Sequence, residues 1–169
     1  GKDAGTAITT GSSNVALGAL ALDANQTGNN CTAIGADALT TNTASGNTAV
    51  GNEALKLNTT GAGNIAVGKN ALLSNTTGNY NVSVGQNSLD ANTTASNNTA
   101  IGHEALGANT TGAQNTAVGA NTLDATTTGN YNVALGHGAL TTNTTASYNT
   151  GIGANSLEMN TTGAQNTAV

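Results

Sequence analysis

Few side chains in this 169-residue chain can take part in chemistry, and they are scattered singly. The chain has two histidines, His103 and His137, one cysteine, Cys31, and only three Lys or Arg residues. It contains no nucleophile motif, glycine-rich phosphate loop or metal-ligand spacing. Nucleic-acid binding, which needs a basic surface, is disfavoured at a net charge of −5. We therefore predict no enzymatic activity, no metal and no cofactor, and Cys31 has no partner for an intrachain disulfide.

Two other kinds of residue are candidates for recognition. The aromatic residues are three tyrosines, which are either receptor contacts or exposed turn residues: Tyr80, Tyr131 and Tyr148. The Asn-Thr-Thr form of the N-glycosylation acceptor pattern occurs at six asparagines, which are either modified or structural: Asn58, Asn75, Asn92, Asn109, Asn143 and Asn160.

These residues belong to a 17-residue repeat that occurs about nine times in the chain. Its register is given by glycines spaced 17 residues apart, with one step of 16 between Gly35 and Gly51. A fixed period of this size indicates a solenoid, in which each coil needs its neighbours to bury its apolar side chains. Disorder is the alternative for a chain rich in Asn, Thr and Gly, but a disordered linker would not keep two apolar positions in phase. We predict an all-β, parallel β-solenoid (β-roll) with residues 1–13 as a lead-in and 14–169 as the repeats, part of a longer chain.

Position 1 of the repeat is defined here as the asparagine that precedes the strand, so that the glycine is position 5. Positions 1–4 alternate β-branched and small residues, which predicts a short strand ended by the glycine. A second short strand is expected around the leucine at position 9. We predict that position 4 and position 9 point inward and that the alanine at position 3 faces away. The predicted core is Leu55, Leu72, Leu89, Leu106, Leu123, Leu140, Val67, Val84, Ile101 and Val118.

Stacking of identical coils about 4.8 Å apart places like residues in columns. Asparagine is suited to such a column because its amide donates to one coil and accepts from the next. Two asparagine ladders are predicted. Position 1 supplies Asn47, Asn64, Asn81, Asn98, Asn115, Asn132 and Asn149, and position 12 supplies Asn58, Asn75, Asn92, Asn109, Asn143 and Asn160.

Charged residues of the repeats occur only at positions 6, 7 and 10, and both histidines are at position 6. This edge is predicted to face water. The two histidines are two coils apart, roughly 9.6 Å, which is too far for one shared metal ion. The position 3 alanines and the Thr-Thr-Gly edge at positions 13–15 carry no charge, so we expect one of them to pack against other copies of the chain.

The strings Asn47-Thr-Ala-Val-Gly51, Asn98-Thr-Ala-Ile-Gly102 and Asn115-Thr-Ala-Val-Gly119 resemble head repeats of trimeric autotransporter adhesins. With Asn-Thr-Thr-Gly, the whole unit resembles shaft repeats of phage and bacterial tail-fibre proteins. The resemblance implies a homotrimeric, left-handed β-roll in an extracellular fibre of a virion or a bacterial surface, which attaches to a glycan or protein receptor. The residues themselves predict no membrane span in this segment, since no stretch approaches roughly 20 apolar residues, and the few basic residues predict no nucleic-acid partner. An ice-binding solenoid and a glycosylated surface filament are the alternatives.

Overall fold

The computed structural model describes all residues from 1 to 169, and its only regular elements are ten short strands. The strands are β1 (Val15–Leu17), β2 (Thr32–Ile34), β3 (Thr48–Val50), β4 (Ile65–Val67), β5 (Val82–Val84), β6 (Thr99–Ile101), β7 (Thr116–Val118), β8 (Val133–Leu135), β9 (Thr150–Ile152) and β10 (Thr167–Ala168). The fold contains no helix with the length and apolarity that crossing a bilayer requires.

The ten strands form one parallel sheet in which each strand pairs with the strands of the preceding and following coils. Every pair is in register, so that Ala100 lies opposite Ala117 and Ile101 opposite Val118. The predicted all-β solenoid with 17-residue coils is confirmed. Its register follows from the repeat, because any slip would move the strand's residues to the wrong face.

The glycine at position 5 ends each strand because the next coil leaves no room for a side chain. Gly85 has a φ of +136°, and a Cβ atom placed on it would lie 2.3 Å from the carbonyl oxygen of Gly102. A conformation of this kind is freely open only to glycine. This explains why the glycine defines the register of the sequence.

The remainder of the coil is a series of tight turns, and the predicted second strand around position 9 is wrong. In the sixth coil the amides of Ala105, Gly107 and Asn109 each donate to the carbonyl three residues earlier. Glu104 and Leu106 adopt left-handed backbone conformations, with φ of 55° and 54°. A strand cannot accommodate alternating left-handed residues. The turns curl the chain tightly and so make the interior of the solenoid narrow.

The core combines the position 9 leucines with small residues. The predicted core leucines are all fully buried: Leu55, Leu72, Leu89, Leu106, Leu123 and Leu140. The alanines at positions 3 and 8 are buried with them as one continuous cluster. The interior therefore holds a single large aliphatic side chain per coil.

The predicted inward orientation of position 4 is wrong, and so is the outward orientation of position 3. Val67, Val84, Ile101 and Val118 lie on the outer surface of the sheet, half-buried or exposed, whereas Ala66, Ala100 and Ala117 are fully buried. The reason is that the interior beside the strand is narrow, so a small residue points inward and the larger aliphatic residue points outward.

The fifth coil shows how closely the two sides of the interior approach each other. Ser83 replaces the position 3 alanine and Ser88 replaces the position 8 alanine. The hydroxyl of Ser83 contacts that of Ser88 and donates to the Ser88 carbonyl at 2.8 Å. Positions 3 and 8 therefore meet across the coil, and the residues there are small: Ala, Ser or Gly at position 3, and Ala, Ser or, in one coil, Thr122 at position 8.

Both predicted asparagine ladders are confirmed, and both line the interior. At position 1, the Oδ1 atom of Asn47 accepts the backbone amide of Asn64 at 2.8 Å, and Nδ2 of Asn64 donates to the Gly78 carbonyl at 2.8 Å. At position 12, Nδ2 of Asn75 donates to Oδ1 of Asn58 at 2.7 Å. Buried polar groups are tolerated when they are hydrogen-bonded. The ladders therefore satisfy backbone groups of the turns and join consecutive coils.

Residues 1–13, predicted to be a separate lead-in, follow the same path as the repeats. The amide of Gly5 donates to the Ala21 carbonyl at 2.9 Å, and that of Leu20 donates to the Lys2 carbonyl at 3.0 Å. Ile8 stands where later coils have the position 12 asparagine and packs against the core. The solenoid therefore includes these residues, although their sequence lacks the repeat's consensus.

Candidate functional site

The outer side of the parallel sheet is the largest uniform surface of the solenoid. It consists of two columns of side chains, at positions 2 and 4, which we call the sheet face. Position 2 contributes Val15, Thr32, Thr48, Ile65, Val82, Thr99, Thr116, Val133, Thr150 and Thr167, and position 4 contributes Leu17, Ile34, Val50, Val67, Val84, Ile101, Val118, Leu135 and Ile152.

The sheet face is uncharged and open in the single chain, with an aliphatic column at position 4 and threonine or β-branched aliphatic residues at position 2. Leu17 is 61% exposed and Ile101 is 40% exposed, and Val15 and Ile65 at position 2 are 51% and 42% exposed. Most of the other members are partly buried. Large contiguous apolar patches are rare on monomeric proteins and usually mark an interaction surface. The sheet face is therefore the main candidate site, and of the two assembly surfaces that the sequence suggested, the position 3 alanines are buried inside the coil.

The charged residues at positions 6, 7 and 10 lie at the water-exposed edge, as predicted, and none of them is buried. Nζ of Lys56 lies 2.8 Å from Oε1 of Glu53 and 3.5 Å from Oδ2 of Asp37. The hydrogen bond to Lys56 lowers the pKa of Glu53, and the same bond raises the pKa of Lys56. Exposed ion pairs of this kind contribute little to stability.

Two aspartates on this edge sit beside a glycine that lacks the side chain found in other coils. A Cβ atom on Gly107 would lie 2.9 Å from Oδ1 of Asp124 and 3.7 Å from Oδ1 of Asp90. Partial burial raises the pKa of both carboxyl groups, and the nearby charge of Glu104 raises them further. The two carboxylates are thus close neighbours along the edge, although no group of three His, Cys, Asp or Glu side chains is arranged to hold a metal ion.

The remaining reactive side chains are isolated from one another. His103 and His137 are exposed, and Nδ1 of His103 lies 3.7 Å from Oε2 of Glu104. Cys31 is buried at position 1, where its sulfur lies 3.2 Å from the Ala44 carbonyl oxygen. The surface has no pocket. The structure does not bring these residues together.

Of the two roles considered for the Asn-Thr-Thr asparagines, the structure favours the structural one. Asn58, Asn75, Asn92, Asn109 and Asn143 are fully buried, and Nδ2 of Asn58 donates to Oδ1 of Asn42 and to the Gly61 carbonyl. Asn160, in the last coil, is partly buried and its Nδ2 donates to Oδ1 of Asn143 and to the Gly163 carbonyl. In all six residues the nitrogen that a glycan would modify already donates a hydrogen bond inside the solenoid, so these Asn-Thr-Thr positions do not support the glycosylated-filament alternative.

The two threonines of the Thr-Thr-Gly edge have different environments. At position 13, the hydroxyl of Thr59 donates to the Thr76 carbonyl at 2.9 Å, and the hydroxyl of Thr76 donates to the Thr93 carbonyl at 3.0 Å. At position 14, Thr77 and Thr94 are exposed. Position 13 therefore stabilises the stack, while position 14 presents a hydroxyl column to solvent.

The three tyrosines all project from position 17, at the corner that leads into the strand. Tyr80, Tyr131 and Tyr148 are 67%, 46% and 57% exposed and have left-handed φ angles of 57°, 58° and 62°. The rings of Tyr131 and Tyr148 are stacked, with their centroids 4.9 Å apart and their planes 6° from parallel. Their exposure agrees with the prediction that they lie in turns at the surface.

The sheet face was not predicted from the sequence, although one pattern in the sequence indicates it. Position 3 admits only Ala, Ser or Gly, whereas position 4 admits Val, Ile and Leu. A position restricted to small residues indicates a tight interior, and a position that varies in size indicates an open side. A comparison of the chain with protein families, with curated proteins and with solved structures found no match.

Proposed function

We propose that this solenoid is a structural and adhesive segment of an extracellular fibre, of the kind found in phage tail fibres and bacterial surface adhesins. In this proposal three parallel copies assemble with their sheet faces toward a common axis. The single observation that carries it is the sheet face, an uncharged surface with an exposed aliphatic column at position 4 that runs the length of the solenoid. The threefold number comes from the resemblance of the repeats to trimeric adhesin heads.

The position of the charges supports this arrangement. Lys56, Glu104 and Asp124 lie in the turns that follow the strand, and the sheet face itself carries no charge. Assembly through the sheet face buries aliphatic side chains and leaves these charges in water. Because each β-branched side chain is held by the sheet, little conformational entropy is lost when the surface is covered.

The regularity of the coils suits a fibre. The strands pair in register along the chain, and consecutive coils are joined through the backbone and, in most coils, through both asparagine ladders. A structure of this type transmits load along its axis through many parallel hydrogen bonds. Added coils lengthen it without changing its cross-section.

Sedimentation velocity of the 169-residue chain tests the assembly. We expect a trimer at micromolar concentration, and we expect Ile101→Lys/Val118→Lys to yield a folded monomer. These two residues are adjacent in β6 and β7 and point outward, so the substitution introduces charge on the sheet face without disturbing the core. The matched control is Gln86→Lys/His103→Lys, which adds two lysines in adjacent coils at the exposed position 6 and should leave the trimer intact.

A wild-type chain that sediments as a stable monomer would contradict the assembly. So would a trimer that persists in the Ile101→Lys/Val118→Lys variant, because the sheet face would then not be the interface.

Ice binding is a second candidate because of one feature of the same surface. Position 2 is threonine in six of the ten strands, and the flat, in-register sheet spaces its side chains regularly. A monomer with this face open to water would show thermal hysteresis, which the Ile101→Lys/Val118→Lys variant should abolish. A trimer that covers the face excludes this function.

A further inference from the structure

We propose that the corner formed by position 17 is a binding platform for uncharged pyranose sugars, with the stacked pair Tyr131 and Tyr148 at its centre. The inference deepens the proposed adhesive function and rests on it, because it names the chemical class of the receptor.

The distribution of aromatic residues supports a specific role for this corner. The chain has three tyrosines, no Trp and no Phe, and all three tyrosines occupy position 17. The backbone at position 17 is left-handed, and every other coil has Asn, Gln, Gly or Ser there. Asn97, for example, has a φ of 63°. Tyrosine is less suited to that conformation than Asn or Gly. The fold therefore does not require a ring here, and three coils carry one nonetheless.

The backbone that leads into the rings is fixed by the side chains at position 16. At position 16, Oδ1 of Asn130 accepts the amide of Ala113 at 2.8 Å, and Oγ of Ser147 accepts the amide of Asn130 at 2.9 Å. The ring of Tyr131 also stacks on that of Tyr148. A platform that is rigid before binding loses less entropy when a ligand arrives.

The chemistry of the corner selects the ligand class. No charged residue occurs at positions 13–17 of any coil, and the net charge of the chain is −5, so nucleic acids and other anionic ligands are disfavoured. About half of each stacked tyrosine is exposed, and the threonines three residues before them, Thr128 and Thr145, are exposed as well. A pyranose ring matches this surface because it has an apolar face of C–H groups for the aromatic ring and hydroxyls for the threonine and tyrosine hydroxyls.

The spacing along the solenoid provides for several contacts. Tyr80 and Tyr131 are separated by three coils, or roughly 14 Å at the inter-coil distance of a parallel sheet. An extended oligosaccharide or a cluster of short glycans can contact more than one ring. Linked weak contacts of this kind gain apparent affinity without any new interaction.

Isothermal titration calorimetry with two neutral probes, maltohexaose and chitohexaose, tests the platform. We expect one of them to bind with a Kd of about 1 mM, the weak range expected for a shallow surface. Tyrosine fluorescence should change on the same titration, since the chain has no tryptophan. In Tyr131→Asn/Tyr148→Asn, binding should weaken at least about tenfold, as removal of aromatic anchors usually does. Folding should be retained because asparagine already occupies this position in other coils.

His103→Asn serves as the control, because it changes an exposed ring on the opposite, charged edge and should leave saccharide binding unchanged. Absence of binding for both probes, or equal binding by the double tyrosine variant, would overturn the proposal. Sedimentation of the same samples separates it from the assembly. If the double tyrosine variant dissociates, the rings form a subunit contact instead. If the wild-type chain is a monomer and binds sugar, the trimer is overturned but the sugar-binding platform is not.

Discussion

Oδ1 of Asn109 is buried without a hydrogen-bond partner because Thr126 occupies the place from which the next coil would donate an amide. Elsewhere in the same column this donor is present, as where Nδ2 of Asn92 reaches Oδ1 of Asn75 at 2.9 Å. The hydroxyl of Thr126 instead donates to the Asn143 carbonyl at 2.7 Å. The position 12 ladder is therefore interrupted at one coil.

Restoring the ladder should stabilise the protein. We expect Thr126→Asn to increase the free energy of unfolding by about 1 kcal/mol, because a buried acceptor gains its missing partner. The reciprocal change, Asn75→Thr, should destabilise by a similar amount, since it leaves Oδ1 of Asn58 without its donor. Urea denaturation followed by circular dichroism measures both. A Thr126→Asn variant that is less stable than the wild type would show that the interruption is accommodated by another contact.

The leucine column should dominate the stability of the core. Leu106→Ala should cost about 2–5 kcal/mol, because it removes the only large aliphatic side chain in the interior of its coil and leaves a cavity. Leu57→Ala is the matched control at position 11, where the side chain is 44% exposed, and should cost less than about 1 kcal/mol. Thermal melts of the two variants compare them directly. Equal losses of stability in the two variants would mean that the interior closes around the missing leucine and leaves no cavity.

The position 5 glycines should be required for stacking rather than for turn formation alone. Gly85→Ala places a methyl group 2.3 Å from the Gly102 carbonyl oxygen, whereas the same change at Gly153 meets nothing within 4 Å. Both variants carry the strain of a left-handed conformation, which costs on the order of 1 kcal/mol. Gly85→Ala should therefore lower the melting temperature well beyond Gly153→Ala. Equal shifts would indicate that backbone strain alone governs this position.

The carboxyl group of Asp124 should make the folded chain less stable as the pH rises, which is the opposite of the usual effect of a carboxyl group. Partial burial raises the pKa of this group, so the folded chain binds the proton more readily than the unfolded chain does. Its stabilising contribution is complete below the ordinary aspartate pKa of about 3.9 and is lost as the pH rises through the raised value. Asp124→Asn should therefore increase the melting temperature at pH 7 by about 1–2 °C, a small shift because solvent screens a half-exposed group.

At pH 3 this difference should disappear, because the wild-type carboxyl group is then neutral as well. Glu158→Gln is the control, since it neutralises an exposed carboxylate at the same repeat position in the last coil. Melting curves from pH 3 to pH 7 give the comparison. A constant difference between Asp124→Asn and wild type across this range would exclude titration of Asp124 as its origin.

The sequence by itself determined the period, the parallel stacking and the two asparagine ladders. These follow from repetition: when a phrase recurs every 17 residues, equivalent residues such as Asn58 and Asn75 must lie in adjacent coils. The confinement of charges to positions 6, 7 and 10 likewise placed that edge in water, because an unpaired charge is too costly to bury.

Only the tertiary structure decided which side of the strand is the inside. Alternation separates position 3 from positions 2 and 4, but it does not say which set is buried. The left-handed residues at positions 7 and 9 curl the chain so tightly that Ser83 touches Ser88 across the coil. That width admits the methyl group of Ala117 and excludes Val118, so the aliphatic columns lie outside. The turn conformation that fixes this width depends on contacts with neighbouring coils, and a single repeat read alone does not contain them.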